Sequence, residues 1–232
     1  MSKEKISIVV PVFNEEKTIE KVINQIINVK LPIDKEIIIV NDASKDKTEE
    51  KIKKICKKNK KIKFISYLKN RGKGYAIRMG FKKASGSIIG IQDADLEYDI
   101  NDYKKLLNPI IKNECLIVYG SRFKKKGVWK KNSFYYGNKI LSFLTSLIYF
   151  KKVTDMETCY KVFRKEILKK IKLKANRFDI EPEITSKILR KGYKIKEIQI
   201  RYNPRTKKEG KKIKAIDGLS AVYTLIKYRF FN

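Results

Sequence analysis

Histidine is absent from all 232 residues. Its absence removes the side chain most often used as a general base near neutral pH. Cysteine is scarce: Cys56, Cys115 and Cys159 are far apart, odd in number and without metal-type spacing. A reduced, cytosolic protein with small buried thiols is the expectation. No stretch approaches ~20 uncharged apolar residues, so no spanning helix is expected. Met1 to Lys5 passes straight into a strand-like run and leaves no room for a signal peptide. No G-x-G-x-x-G occurs, and Gly72-Lys73-Gly74 is too short for a P-loop, which counts against dinucleotide-binding and kinase-like classes. Negative charge is also short, with 25 acidic residues against 56 basic ones and a net charge of +31. Such a surface attracts polyanions. Nucleic acid, an anionic membrane face and phosphorylated substrates are all consistent with that sign.

The apolar fraction of 42% suffices for a core, and the length suits one α/β domain. The chain is organised around Ile88-Ile89-Gly90-Ile91-Gln92-Asp93-Ala94-Asp95-Leu96-Glu97. An apolar, β-branched run of this kind predicts a strand buried on both faces. Its end would place Asp93 and Asp95 at the carboxyl edge of a sheet, where open α/β sheets bind ligands. Continued alternation would put Asp93, Asp95 and Glu97 on one side. Carboxylates crowded together repel unless a cation neutralises them, and oxygen-only ligands suit Mg²⁺ or Mn²⁺. A strand-end turn with acidic caps is the plainer alternative.

The same alternation of strand and helix recurs upstream. Ile6 to Phe13, Glu36 to Val40 and Ile62 to Leu68 have the character of buried strands. Helical spacing follows them at Ile19–Ile27, about Thr48–Lys58 and, after Gly74, to about Ala84. Four βα units at short spacing predict a mostly parallel sheet covered by helices. Their polar ends, at Asn14-Glu15, Asn41-Asp42, Arg71–Lys73 and Asp93–Asp95, then share one edge that suits a nucleotide.

In order along the chain stand Val9-Val10-Pro11-Val12-Phe13-Asn14-Glu15-Glu16, Val40-Asn41-Asp42-Ala43-Ser44-Lys45-Asp46-Lys47-Thr48, Asn70-Arg71-Gly72-Lys73-Gly74 and Gln92-Asp93-Ala94-Asp95-Leu96-Glu97. Together they resemble the ordered signature of family 2 glycosyltransferases, most closely the dolichyl- or polyprenyl-phosphate sugar synthases. The resemblance implies an α/β fold of GT-A type, a mostly parallel central sheet with helices on both faces. It also implies one domain, 1–232, with a nucleotide-sugar half (1–122) and an acceptor and membrane-interface half (123–232). Carried over by position, Pro11, Phe13 and Glu15 line the base and ribose, with Val40 and Asp42 opposite. Asp93 and Ala94 contact the nucleotide sugar, while Asp95 and Glu97 hold the Mg²⁺ or Mn²⁺. Asn41 stands where aspartate is frequent in that family, and Ala43 where glycine is, which leaves nucleotide preference open.

Downstream, Leu116 to Tyr119 predicts another strand, and Arg122 just after it is a candidate phosphate contact. Lys124 to Lys131 is basic and holds the only tryptophan, Trp129; it precedes the aromatic, apolar segment Phe134–Phe150. Such a pairing suits a membrane interface or a core helix, and the resemblance favours the interface. Thr154 to Phe163 resembles the family's acceptor-side block, with Asp155 either a base or a structural cap. Phe178 to Lys191 predicts a helix in which Glu181 and Glu183 favour the dipole, and Tyr193 to Tyr202 an edge strand. Asn203 to Ile213 resembles a basic loop that closes over the diphosphate, making Arg205, with Lys73 or Lys211, a source of preorganised positive charge. The end, Leu219–Phe231, is amphipathic and basic.

The leading expectation is an inverting, metal-dependent glycosyltransferase. It would move a hexose from a UDP- or GDP-sugar to a polyprenyl or dolichyl phosphate, peripherally, on the cytoplasmic face of an anionic membrane. Asp93, Asp95, Arg122 and Arg205 would act at the reacting groups. A phosphate monoester, with a second pKa of ~6, is already a nucleophilic oxyanion at neutral pH and needs no histidine. Asp155 would then not be a base, and Asp155→Asn would retain transfer. Alternatives are a sugar-hydroxyl acceptor in surface-polysaccharide or glycolipid assembly and, remotely, a non-catalytic nucleic-acid-binding protein. No nucleic-acid partner is expected, because a carboxylate-lined edge repels phosphates and no basic-aromatic RNA motif is present.

Overall fold

The computed structural model describes residues 4–59, 61–124, 132–205 and 215–231. Three βα units open the chain: β1 (Lys5–Val12) and α1 (Ile19–Asn28), β2 (Asp34–Asn41) and α2 (Thr48–Lys58), β3 (Ile62–Ser66) and α3 (Lys73–Lys83). β4 (Ile88–Ile91), a 3₁₀ turn and α4 (Tyr103–Ile111) follow. Then come β5 (Ile117–Ser121), α5 (Ser133–Tyr149), β6 (Lys161–Arg164), α6 (Lys165–Lys170), α7 (Ile180–Arg190), β7 (Lys196–Gln199) and α8 (Ala215–Phe230). All seven strands form one sheet in the order β3-β2-β1-β4-β6-β5-β7.

β1 lies between β2 and β4 and pairs in parallel with both, so its side chains are buried on both faces, as a run of Ile and Val requires. Pro11 is the next-to-last residue of this central strand, where its missing donor does least harm. β6 is the exception to the parallel pattern, antiparallel to β4 on one side and β5 on the other. It carries the second half of the chain into the middle of the sheet. Nothing in the sequence predicts it: four residues with Lys161 at one end and Arg164 at the other give no alternation. Lys161 is nonetheless fully buried, donating to the carbonyls of Met156 (2.9 Å) and Thr158. The expected edge strand from Tyr193 is β7, shortened to four residues but at the sheet's edge.

A second, smaller core joins α5, α7 and α8 through Tyr149, Val153, Met156, Leu189, Ala221 and Leu225. It holds the inner faces of α5 and α8 only. On their outer faces Tyr136, Ile140, Phe143, Leu147 and Phe150 repeat at helical spacing along α5, and Ile216, Leu219, Tyr223, Ile226 and Phe230 along α8, all exposed. Phe143 is 66% exposed, so the aromatic segment packs into the core on one face only; Leu219 on α8 is 68% exposed. Among the described residues no helix is long and apolar enough to cross a membrane.

Candidate active site

Because β1, β2, β3 and β4 run parallel, their carboxyl ends deliver four loops to one edge, and a cavity of about 1230 Å³ opens there. Pro11, Phe13, Glu15, Asp42, Lys73, Asp93, Ala94, Asp95, Glu97, Arg122 and Arg205 all line it. Val40 does not: it is completely buried within β2.

The loops tie each other into place. Asn14, at a left-handed φ of 50°, accepts from the Lys45 N–H (2.8 Å), while its own N–H donates to Ser44 Oγ (2.9 Å). Asp42 accepts the backbone N–H groups of Arg71 (2.8 Å) and Gly72 (2.6 Å), fixing the third loop to the second. Gly72 has a φ of +97° and would set a Cβ 2.3 Å from the Asn176 carbonyl oxygen, so only glycine fits. The family departures also find local reasons. Ala43 has a φ of 60°, the conformation glycine adopts most readily. Asn41 bridges Glu49, Ser66 and Ser44 instead of facing the cavity.

Asp93, Asp95 and Glu97 are not arranged by strand alternation. β4 ends at Ile91, and the chain turns through residues 94–96, with Leu96 at a φ of 63°. The turn separates the carboxylates. Asp93 faces Lys73 (2.9 Å), which also pairs with Glu181 (3.0 Å). Burial opposes the Lys73 charge, but Asp93 and Glu181 outweigh it and hold the ammonium well above its ordinary range. Lys73 is therefore an internal partner of Asp93, and its charge is already matched. Asp95 and Glu97 turn the other way and, with Glu15, meet Arg205. Its guanidinium lies 3.0 and 3.2 Å from the Glu15 oxygens, 3.1 Å from Asp95 and 3.6 Å from Glu97. The Arg205 N–H also donates to Glu97 (3.0 Å), as does the Tyr202 hydroxyl (2.5 Å). Burial, reinforced by Asp93 and Glu97, pushes the Asp95 carboxyl up to about 7 despite Arg205. Lys211 and the rest of the 206–214 loop lie outside the described residues, as do 125–131 of the basic segment around Trp129.

Arg122 is only 5% exposed, which rules out a solvated charge. Asp155, fully buried, accepts from its backbone N–H (2.8 Å), Nε (2.7 Å) and Nη2 (2.7 Å). A carboxylate so engaged holds the Arg122 guanidinium in place at the cavity wall. Sequence reasoning missed this partnership, and it also missed Glu181, read there as a dipole residue, as the second partner of Lys73. Neither pair has a local signal, since its members are 33 and 108 residues apart.

A family model described as glycosyl transferase family 2 matches residues 7–172. The chain belongs to that family. It is 32% identical over 232 residues to a dolichol-phosphate mannosyltransferase of Pyrococcus furiosus, covering 97% of this chain and 64% of that protein, so it spans less than two thirds of that relative's length. A dolichyl-phosphate beta-glucosyltransferase of Trichomonas vaginalis is 30% identical, with 98% of this chain and 73% of that protein covered. Among solved structures, glucosyl-3-phosphoglycerate synthase of Mycobacterium tuberculosis, crystallised with Mn²⁺, UDP and glucosyl-3-phosphoglycerate, matches with a TM-score of 0.74. The match covers 99% of this chain and 81% of that one at 20% identity, which speaks to the fold. This family 2 glycosyltransferase thus has the GT-A type architecture that its motifs implied.

Proposed function

We propose that this glycosyltransferase moves a hexose from a nucleoside diphosphate sugar to a polyprenyl or dolichyl phosphate at the surface of an anionic membrane, on its cytoplasmic face. The observation that carries this reading is the extent of the cavity. It is lined by Pro11, Phe13, Glu15 and Asp42 from the strand-end loops and also by Phe134, Gly137, Asn138 and Leu141 on α5, and Asp217 and Gly218 on α8. These are the two helices whose outer faces are exposed and apolar, with Lys139, Lys227 and Arg229 on them. A polar donor and the phosphate of a membrane-embedded lipid can therefore share one cavity. In this scheme residues 1–122 serve the donor and 123–232 the acceptor and the membrane.

Pro11, Phe13, Glu15 and Asp42 would hold base and ribose, and Asp93 and Ala94 the nucleotide sugar. A divalent cation fits the chemistry here. The donors are hard carboxylate oxygens, and burial together with repulsion from Asp93 and Glu97 holds the Asp95 carboxyl up at about 7 even with one guanidinium beside it. Asp95 and Glu97 would hold Mg²⁺ or Mn²⁺, which would supply positive charge against the diphosphate as it departs. Among the described residues no three acidic side chains converge as a ready ion-binding set. Arg205 is the counter-ion of the cluster, and it would release the carboxylates and turn to the phosphates. Arg122, aimed by Asp155, would orient the acceptor phosphate, whose oxyanion attacks the anomeric carbon as the bond to the nucleoside diphosphate breaks. Attack opposite the leaving group inverts that centre. No proton has to be removed, in keeping with a chain that has no histidine.

Radiolabelled UDP- and GDP-sugars presented with polyprenyl phosphate and, separately, free polyprenol in anionic liposomes test this reading. Product is expected only with the phosphate and only with added Mg²⁺ or Mn²⁺. Efficient glycosylation of the free alcohol would favour the hydroxyl-acceptor class instead.

A further inference from the structure

Glu157 has no task in this scheme, yet its position is costly. It lies in the turn before β6, between Asp155, which holds Arg122, and Thr158. Lys161 fixes this turn from beneath by donating to the carbonyls on either side of Glu157, those of Met156 and Thr158. Glu157 itself lines the cavity. Its Oε1 is closed off from solvent and has no hydrogen-bond partner among the described residues. Leaving a buried acceptor unpaired costs roughly 1–3 kcal/mol, and a turn this firmly held gives the carboxyl little scope to avoid it. Burial, with Glu181 adding repulsion, also pushes the Glu157 carboxyl up to about 7.

The surroundings narrow the missing partner. An anion is disfavoured, because Asp93 and Glu181 line the same cavity. A further cation is not needed there, since Lys161, Arg122 and Lys73 already lie close enough to favour the Glu157 charge. What remains is a neutral donor of hydrogen bonds. The part of the donor substrate lying between the carboxylates at Asp95 and the acceptor-side Arg122 is the hexose, a neutral polyol. We propose that Glu157 accepts a hydrogen bond from a hydroxyl of the transferred hexose and so helps to determine which sugar is carried. This rests on the donor assignment above.

Calorimetric titration of UDP, UDP-glucose, GDP and GDP-mannose into wild type, Glu157→Gln and Glu157→Ala tests it. For the sugar nucleotide that wild type prefers, Glu157→Ala should weaken binding roughly ten- to hundredfold, while the matching nucleoside diphosphate binds all three proteins alike. Glu157→Gln, which keeps an acceptor, should fall between them. Deoxy analogues of that sugar supply the decisive arm. One of them should bind wild type and Glu157→Ala equally, because it lacks the hydroxyl that is read. Loss of nucleoside diphosphate and sugar nucleotide affinity in equal measure would overturn the role of Glu157 and leave the donor assignment standing. A wild type that binds none of the four would overturn the donor assignment itself.

Discussion

Replacing Arg205 by alanine should tighten Mn²⁺ binding to the nucleotide-free protein while slowing transfer. The guanidinium spans Glu15, Asp95 and Glu97, two of which are the proposed metal ligands. An incoming cation must first separate them from Arg205. The side chain is 16% exposed, so its ion pairs fall between solvent-screened pairs, at ~0.2–1 kcal/mol, and buried charge-assisted hydrogen bonds, at ~1.5–3 kcal/mol. Taking about 2 kcal/mol for the whole set, removal of Arg205 should lower the Mn²⁺ dissociation constant roughly thirtyfold. Titration followed by electron paramagnetic resonance of free Mn²⁺ measures this without any turnover. Arg201→Ala is the control: it removes a charge of the same sign from the same segment, but Arg201 pairs with Asp99 and Asp102. Under turnover the sign reverses. A residue that turns to the phosphates as charge develops lowers kcat more than it raises the KM for the donor when it is lost. An unchanged or weaker Mn²⁺ affinity in Arg205→Ala, or an equal gain in Arg201→Ala, would refute the competition.

Three further outcomes are expected. Phe143→Gln with Leu219→Gln should leave the melting temperature unchanged but reduce flotation with anionic liposomes at least tenfold, since each exposed apolar side chain contributes ~1.5–3 kcal/mol once buried in a membrane. Contrary to the expectation from sequence that transfer is retained, Asp155→Asn should lose transfer and, by urea denaturation, about 3–5 kcal/mol of stability, because it leaves the Arg122 guanidinium buried without its counter-charge; pairing it with Arg122→Met should restore stability but not transfer. Glu157→Gln should flatten the pH dependence of thermal stability. A carboxyl raised to about 7 in the fold contributes stability below its unfolded value of ~4.3, and that contribution is lost as pH rises through 7. The variant should therefore gain most, relative to wild type, above pH 7, with Asp95 leaving a residual slope of the same sign.

The βα repeats were legible because their information is local. Buried parallel strands must be apolar on both faces, and a helix over the sheet must keep its own period, so β1 to β4 and α1 to α3 stand within a few residues of where the pattern sets them. The site was legible only as a list of loop residues. Alternation was the wrong geometry for Asp93, Asp95 and Glu97, since the strand ends before them and the turn at Leu96 distributes them between two cations. Those cations come from distant parts of the chain, Lys73 on α3 and Arg205 beyond β7, and only the sheet order brings them together. β6 was illegible for a related reason. Its buried Lys161 violates the rule that interior strands are apolar, and the violation is explained by the turn it supports.

The missing histidine and the clamped Asp155 bear on one question. A chain using a sugar hydroxyl as nucleophile must place a free base beside it. Here two of the acidic groups beside Arg122 are already committed: Asp155 holds Arg122 through three hydrogen bonds, and Glu197 accepts the N–H groups of Thr154 and Asp155. Glu157, raised to about 7 by burial and by Glu181, and Asp217 on α8 also line the cavity, so a hydroxyl acceptor would have to use one of these two. On the proposed reading, Arg122 presents a fixed cation to the acceptor, and the carboxylate that clamps it is not available to remove a proton. That arrangement suits a nucleophile that arrives as an anion, and a phosphate ester on a membrane-bound lipid is such a nucleophile.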